Sequence, residues 1–199
     1  MTSYTRMTHQ DDQIFIDRTL AGNVNAFATL VDRYKSLVFT LSLRMMKQTE
    51  EAEEVAQDVF IKAFQKLGSF KGNSKFSTWL YRITYNACLD ALSRKQNQPT
   101  HHAAEINDEI TEDRVDNILA QLEQEELRTQ LEECIQLLPK VDAFLVTLYY
   151  LKEQTLAEIS VITGLTKNNV KVKIFRSRKK LYEILEARLP EEIKMRYER

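Results

Sequence analysis

The sequence predicts an all-α protein of two small helical modules joined by a flexible acidic linker, and three observations carry that prediction. Four Gly and three Pro in 199 residues are too few to supply the turns of an all-β chain. Apolar residues recur at spacings of three and four over most of the length, the period of a helix with one buried face. Charge is also segregated along the chain. Residues 1–100 hold 13 Lys/Arg against 10 Asp/Glu, a net of +3; residues 101–139 hold 2 against 11, a net of −9; residues 140–199 hold 13 against 8, a net of +5. The overall charge of −1 therefore conceals two basic ends around an acidic middle. Phosphate binding depends on local cation density rather than on the total, so this layout predicts two DNA-facing modules with a linker between them.

A first helix is expected over 11–21, with Ile14, Phe15 and Leu20 apolar and Gly22-Asn23 as its stop. A long helix follows over 25–46, its buried face traced by Phe27, Leu30, Val31, Tyr34, Val38, Leu41 and Met45. Thr49 opens the next, with Glu50, Glu51, Glu53 and Glu54 near its start and Lys62 and Lys66 near its end, which complements the helix dipole at both ends. Its core stripe is Val55, Val59, Phe60, Ala63 and Phe64; Gln57, Asp58 and Gln65 lie outside, and Gly68 stops it. Residues 69–77 read as a polar, Gly-containing loop and 78–95 as a helix with Leu80, Ile83, Ala87 and Leu92 inward. Residues 96–117 are polar, contain Pro99 and lack sustained periodicity, the composition of a linker. The modules therefore span 11–95 and 118–190. Within the second, helices are expected over 118–138 and 140–151, separated at Pro139, with two more continuing to 189.

Those last two helices are the most informative part of the chain. Thr155 and Glu158 have the spacing of a capping box, Leu156, Ile159 and Ile162 supply a buried stripe, and Gly164 stands where a helix ends at positive φ. Thr166 then caps a second helix in which Val170, Ile174, Ser177 and Leu181 recur at i, i+4, i+7 and i+11. Its outer surface carries seven cations, Lys167, Lys171, Lys173, Arg176, Arg178, Lys179 and Lys180, with no acidic residue before Glu183. Asn168 and Asn169 occupy the first turn, where a recognition helix puts base-reading and phosphate-contacting groups into the major groove. A charge run alone fits a solvated helix face; the capped first helix, the Gly turn and the absence of acids together point to a DNA-binding helix-turn-helix.

A second constellation lies over 70–86, where Phe70, Phe76, Trp79, Tyr81 and Tyr85 interleave with Lys71, Lys75 and Arg82 and with Asn73, Ser74, Ser77 and Asn86. Unstacked bases gain roughly 1–3 kcal/mol each on aromatic faces while cations track the backbone, so the mixture suits single-stranded DNA. Arg82, Arg94 and Lys95 extend a basic edge along the same helix. Taken singly, Phe76 and Trp79 fit core packing as well as stacking, and Asn73, Ser74 and Ser77 also suit a turn. Trp79, Tyr81 and Tyr85 fall partly outside the apolar stripe, so burying all of them in one small module is awkward.

Several function classes are excluded. No apolar stretch approaches the roughly 20 residues that span a membrane, and residues 1–12 lack the apolar segment of a secretory signal, so no membrane insertion and a cytosolic location are expected. Cys88 and Cys134 lie in different modules with no second pair to complete a zinc site, and read as reduced structural thiols. His101-His102, adjacent in the linker, do not present two ligands to one metal. No Gly-rich phosphate loop, nucleophile-base set or metal-ligand spacing appears, so neither catalytic residues nor a cofactor is expected and the chain is not read as an enzyme.

In the order and separation of its motifs the chain strongly resembles a bacterial sigma factor of the extracytoplasmic-function type, over about 11–95 and 118–188. The matching pieces are Glu53-Glu54-Val-Ala-Gln57-Asp58-Val-Phe60, Phe70-Lys-Gly-Asn73-Ser with Phe76-Ser-Thr-Trp79-Leu-Tyr-Arg82-Ile, Leu137-Leu138-Pro139, Leu156-Ala-Glu158-Ile, and Val170-Lys-Val-Lys-Ile-Phe-Arg176-Ser-Arg178. The resemblance implies that the helix bearing Glu54, Gln57, Asp58, Phe60 and Lys62 faces the clamp of core RNA polymerase. It implies that Asn73, Lys75, Phe76, Ser77, Trp79 and Asn86 lie near the melted minus-10 strand, and Lys171, Val172, Phe175 and Arg176 near the minus-35 duplex. It leads us to expect an anti-sigma partner as well. Where the family often has Ser-Arg this chain has Val172-Lys173, which replaces a serine contact with an apolar one suited to a thymine methyl.

Two rival readings remain at the level of sequence. A stand-alone helix-turn-helix regulator of the two-domain response type would dimerise on an operator without polymerase, and has no use for the aromatic loop. A helical adaptor that binds only protein would carry its basic patches incidentally, and its second module would bind DNA without salt dependence or not at all.

Overall fold

The computed structural model describes residues 3–96 and 125–188, with side chains over 12–95 and 130–188. Residues 97–117 of the expected linker, His101-His102 with them, lie outside the described residues, as do residues 118–124 of the second module. Every regular element among the described residues is helical. In chain order they are α1 (Ser3–Leu20), α2 (Val24–Met46), α3 (Thr49–Lys66) followed by a 3₁₀ turn (Leu67–Ser69), and α4 (Phe76–Gln96). The second module contains α5 (Glu125–Leu137), α6 (Lys140–Val146) running into a π-helical turn (Thr147–Leu151), α7 (Leu156–Thr163) and α8 (Lys167–Arg188).

The buried stripe of α1 is Asp12, Ile16 and Thr19, at i, i+4 and i+7, whereas Ile14 and Leu20 are exposed. Its register is set by a polar anchor: the Asp12 carboxylate accepts hydrogen bonds from Arg33 Nη1 and the Tyr34 hydroxyl of α2. Hydrophobic periodicity is blind to such a stripe. In α3, Val55, Val59 and Ala63 are buried as their spacing predicts, but Phe64 is exposed, with the edge of its ring on Phe27 at 5.1 Å. Helix α4 begins at Phe76, two residues before the expected start, because Phe76 itself is drawn into the core.

The main departure from two independent modules lies in the core. One apolar cluster runs from Ile16 and Leu30 through Leu80, Tyr85 and Cys88 of the first module and on into Phe144, Leu148, Ile159, Ile162, Val170 and Ile174 of the second. Helix α2 packs on α6 and α4 on α7. The second module keeps a smaller core of its own on its far side, where Leu131, Cys134, Ile135 and Leu138 meet Ala143, Val146, Leu181 and Leu185. This sharing explains how Tyr85, only 2% exposed, is buried: its ring lies 5.1 Å from that of Phe144.

Candidate nucleic-acid interface

The helix-turn-helix is assembled by local hydrogen bonds that its sequence encodes. Thr155 Oγ1 accepts from the Glu158 backbone N–H at 3.2 Å, while Glu158 Oε2 accepts from the Thr155 backbone N–H at 2.9 Å, a complete capping box. Gly164 ends α7 at φ 75°, and its N–H returns to Ser160 O at 2.9 Å. Thr166 Oγ1 then accepts from the Asn169 N–H at 3.2 Å and starts α8. Val170, Ile174, Ser177 and Leu181 are buried, as their spacing predicts, and Leu185 extends the stripe.

Of the residues expected on the DNA side of α8, Lys167, Asn168 and Lys171 are exposed, and Asn169, Val172, Lys173, Phe175, Arg176 and Arg178 are half-buried. Asp142 of α6 lies beneath the basic face, 3.9 Å from Lys180 Nζ. Burial raises its carboxyl above the usual range, although the charges of Lys173 and Lys180 pull the other way. Most of the expected cations thus share one helix without an acid on its first four turns.

Around residues 70–86 the structure separates scaffold from surface. Phe76 is 2% exposed and sits between Tyr34, Phe70 and Trp79, with ring centroids 5.5, 5.8 and 5.6 Å away. No face of its ring is open to a base in this conformation, so the stacking role expected of Phe76 gives way to packing. Asn73, Arg82 and Asn86 are exposed, Lys75 is exposed but paired with Glu158, and Ser77 and Trp79 are half-buried, so polar and cationic groups surround an aromatic scaffold. Tyr34 is half-buried and Tyr81 buried beneath; burial raises both phenols well above their usual range, helped by the Asp12 charge and, for Tyr34, by its hydrogen bond to Asp12.

On α3, Glu54 and Gln57 are exposed and Asp58 and Lys62 half-buried, forming a polar strip on the side away from Val55, Val59 and Ala63. Lys62 is 3.6 Å from Asp90 of α4. Phe60 packs against the core edge rather than standing free.

Three side chains that sequence reasoning did not assign, Arg44, Lys47 and Gln136, connect the modules by polar contacts. Arg44 Nη1 donates to Glu132 O at 3.1 Å and Gln136 Oε1 at 3.0 Å, while Gln136 Nε2 donates to Leu43 O at 3.1 Å. Lys47 Nζ donates to Gln136 O at 2.5 Å and Leu138 O at 2.9 Å. Two helix C-termini meet here: Lys47 satisfies the Gln136 carbonyl, in the last turn of α5 where no partner exists within the helix, and the Leu138 carbonyl just beyond it. Arg44 is only 5% exposed, and burial lowers the pKa of its guanidinium. Burial, reinforced by Arg44 and Lys140, brings the Lys47 ammonium down to about 8. A second link joins Lys75 Nζ to Glu158 Oε1 at 2.9 Å, so one carboxylate caps α7 and holds the loop before α4. Desolvation opposes ionisation of Glu158, but hydrogen bonds from Lys75 and Thr155 outweigh it and keep its carboxyl below the usual range. The signal in the sequence for the first link was a cation, Arg44, three residues after the core position Leu41.

Among the described residues no helix is long and apolar enough to cross a membrane, and no group of three or more His, Cys, Asp or Glu could hold a metal ion. Cys88 and Cys134 are free, buried thiols, and burial pushes that of Cys88 up to about 12.

Comparison with known proteins matches this architecture to its relatives. Residues 30–98 match the model of sigma-70 region 2 and residues 128–181 that of sigma-70 region 4. The RNA polymerase sigma-H factor of Pseudomonas aeruginosa is 32% identical over 93% of this chain and 99% of that protein. The extracytoplasmic-function sigma factor SigW of Bacillus subtilis is 34% identical over 83% of this chain and 92% of its own length. In fold, the chain is similar to CnrH solved with the cytosolic domain of CnrY, with a TM-score of 0.60 at 21% identity over 90% of this chain and 99% of that one. It is also similar to RpoE of Bartonella quintana solved with the anti-sigma factor NepR, with a TM-score of 0.58 at 17% identity over 82% of this chain and 98% of that one.

Proposed function

The chain belongs to the extracytoplasmic-function sigma factors of bacterial RNA polymerase, and from that premise we propose how its surfaces divide the work of binding core polymerase, recognising a promoter and opening it. Helix α8 reads the minus-35 duplex, with Lys171, Val172, Phe175 and Arg176 toward the bases and Lys167, Asn168, Asn169, Lys173 and Arg178 toward the phosphates. Asn73, Lys75, Ser77, Trp79, Arg82 and Asn86 hold the melted minus-10 strand, supported by the packed ring of Phe76. Glu54, Gln57, Asp58 and Lys62 of α3, with Phe60 behind them, meet the polymerase clamp. The protein supplies no catalytic group; polymerase carries out the chemistry, and capture of bases that have left the stack favours the open state without nucleotide hydrolysis. The functional modules follow the boundaries 11–95 and 118–190.

The observation that carries this reading is the pairing, in one chain, of a capped helix-turn-helix bearing an acid-free basic face with an exposed polar and cationic loop on an aromatic scaffold. Complexes of similar folds with CnrY and NepR support an anti-sigma partner for this chain, and a cytosolic location follows on this reading from work with polymerase. The test is to reconstitute the chain with core polymerase and footprint a genomic promoter library. Protection spanning both promoter elements and dependent on this chain is the expected result; an operator-like footprint without polymerase would favour the stand-alone regulator.

A further inference from the structure

We propose that Asp142 of α6 sharpens the DNA specificity of α8: its half-buried carboxylate holds Lys180 and tempers one flank of the helix, so that docking on phosphates alone is suppressed and the base-reading residues decide where the chain binds. The inference rests on the reading of α8 as the minus-35 helix; the asymmetry of the helix rests on the structure alone.

Successive residues of a helix turn by about 100°, so the buried line Val170, Ile174, Ser177 and Leu181 divides the rest of α8 into two flanks. Lys167, Lys171 and Arg178 fall on one, and Asn169, Lys173 and Lys180 on the other. The second flank lies over α6, where Asp142 Oδ2 is 3.9 Å from Lys180 Nζ and the charges of Lys173 and Lys180 both act on the carboxyl. The Asp142 side chain is 15% exposed against 53% for that of Lys180, so the acid sits in the fold while the ammonium reaches solvent. Ala143 and Val146, one and four residues after Asp142, pack in one cluster with Leu181, the neighbour of Lys180. That packing fixes the acid against the flank.

The place of this pair along the helix decides its role. A recognition helix puts its N-terminal residues into a major groove about 12 Å wide. Lys180 follows Lys167 by 13 residues, about 20 Å at 1.5 Å per residue, so in the inserted register it lies beyond the turns that carry Val172, Phe175 and Arg176. It is available instead to dockings in which α8 lies along the phosphates out of register, and those carry no sequence information. An acid held beneath that cation weakens such dockings twice, by neutralising the ammonium and by repelling a phosphate that approaches it. The phosphates of the correct register, met by residues nearer the N-terminus of α8, are affected less. Asp142 thereby acts by disfavouring the wrong complexes rather than by adding a contact to the right one.

Asp142→Asn keeps the shape of the side chain and removes its charge. Holoenzyme formed from core polymerase and either the parent or this variant is titrated, over a salt series, with duplex carrying the minus-35 element recovered by footprinting and with random duplex of equal length. The variant should bind random duplex about two- to tenfold more tightly, with a salt slope steeper by about one ion, and gain less on the promoter duplex, so that the ratio of the two affinities falls. Adding Lys180→Gln should abolish the gain, because the cation that Asp142 tempers is then absent. A purely structural role for Asp142 would lower the thermal midpoint and leave the salt slope unchanged; that result overturns the proposal, as does an equal gain on both duplexes. Lys180→Gln alone should change random binding little, since its cation is already tempered, and a loss of a full ion there would overturn the proposal even if Asp142→Asn failed to fold. Failure of the minus-35 reading registers separately, as a parent holoenzyme that binds the two duplexes equally; the gain on random duplex then still reads the Asp142 and Lys180 pair.

Discussion

Tyr85 of α4 and Phe144 of α6 meet with ring centroids 5.1 Å apart and ring planes inclined by 52°, and through this pair the two modules share one core. The consequence is thermodynamic: a side chain 59 positions away in sequence contributes to the stability of α4, so the modules are not independent folding units.

Truncating that contact should expose the coupling. Phe144→Ala is expected to cost about 3–5 kcal/mol, the usual range for deleting a buried ring. Hydrogen exchange should accelerate in α4 as well as in α6 and α7. Acceleration confined to the second module would mean that the shared core does not couple them.

The elements were legible where one physical rule decides them. The capping box at Thr155 and Glu158, the positive φ at Gly164 and the stripe Val170, Ile174, Ser177 and Leu181 are local in sequence and local in structure. The inner face of α1 was not legible, because Asp12 is held by Arg33 and Tyr34 from another helix rather than by hydrophobicity. Nor was the fate of Phe76 and Tyr85: an aromatic on a polar-looking helix fits equally a base or a second module, and only tertiary packing separates the two. The contacts through Gln136 and Glu158 join residues 92 and 83 positions apart, a separation at which periodicity and propensity carry no information.

The basic face of α8 should give salt-dependent binding to promoter duplex. Its test belongs in the full chain or holoenzyme, because an isolated second module would expose Phe144, Leu148, Ile159 and Ile162. Lys167→Ala should weaken binding across all sequences and shallow the salt slope by about one ion, whereas Arg176→Ala should also alter sequence preference. A flat response of affinity to salt would show that this face does not meet DNA.

On α3, Asp58 lies on the polar strip beside the exposed Gln57, and a substitution there should leave the fold intact. Asp58→Arg is expected to reduce capture by core polymerase, with helicity unchanged and a stability change within about 0.5 kcal/mol. Unaltered affinity for polymerase would remove α3 from that interface.

Lys47 gives the fold a pH dependence of defined sign. Burial lowers its ammonium from the ordinary 10.5 to about 8, so between those values the unfolded chain binds a proton more tightly than the folded one. Its contribution is fully present above 10.5 and is lost as pH falls through 8, the point at which the fold must accommodate a half-buried charge. The raised phenols of Tyr34, Tyr81 and Tyr85 oppose this only near and above their ordinary 10.0. Between pH 8 and about 9.5, the thermal midpoint of the parent should therefore rise relative to that of Lys47→Met. A constant difference between the two across that window would contradict the burial argument.

Phe76 and Asn73 lie three residues apart, and the structure predicts different defects for them. Phe76 is enclosed by Tyr34, Phe70 and Trp79, so Phe76→Ala should destabilise the chain by about 3–5 kcal/mol and lower every activity in proportion to the folded fraction. Phe76→Leu, which keeps most of the volume, should retain promoter opening if the ring is scaffold rather than a stacking surface. Asn73 is exposed on the loop, so Asn73→Ala should leave stability and polymerase binding close to the parent while reducing permanganate reactivity of promoter thymines. A base held outside the duplex lowers the free energy of the open complex relative to the closed one, and losing one contact to it should reduce opening several-fold. A template with a pre-melted bubble should restore most of the Asn73→Ala defect, since the unpairing cost has already been met, but should do little for unfolded Phe76→Ala. If Phe76→Leu loses opening at parental stability while Asn73→Ala opens normally, the ring itself touches the strand and the assignment of scaffold and surface must be exchanged.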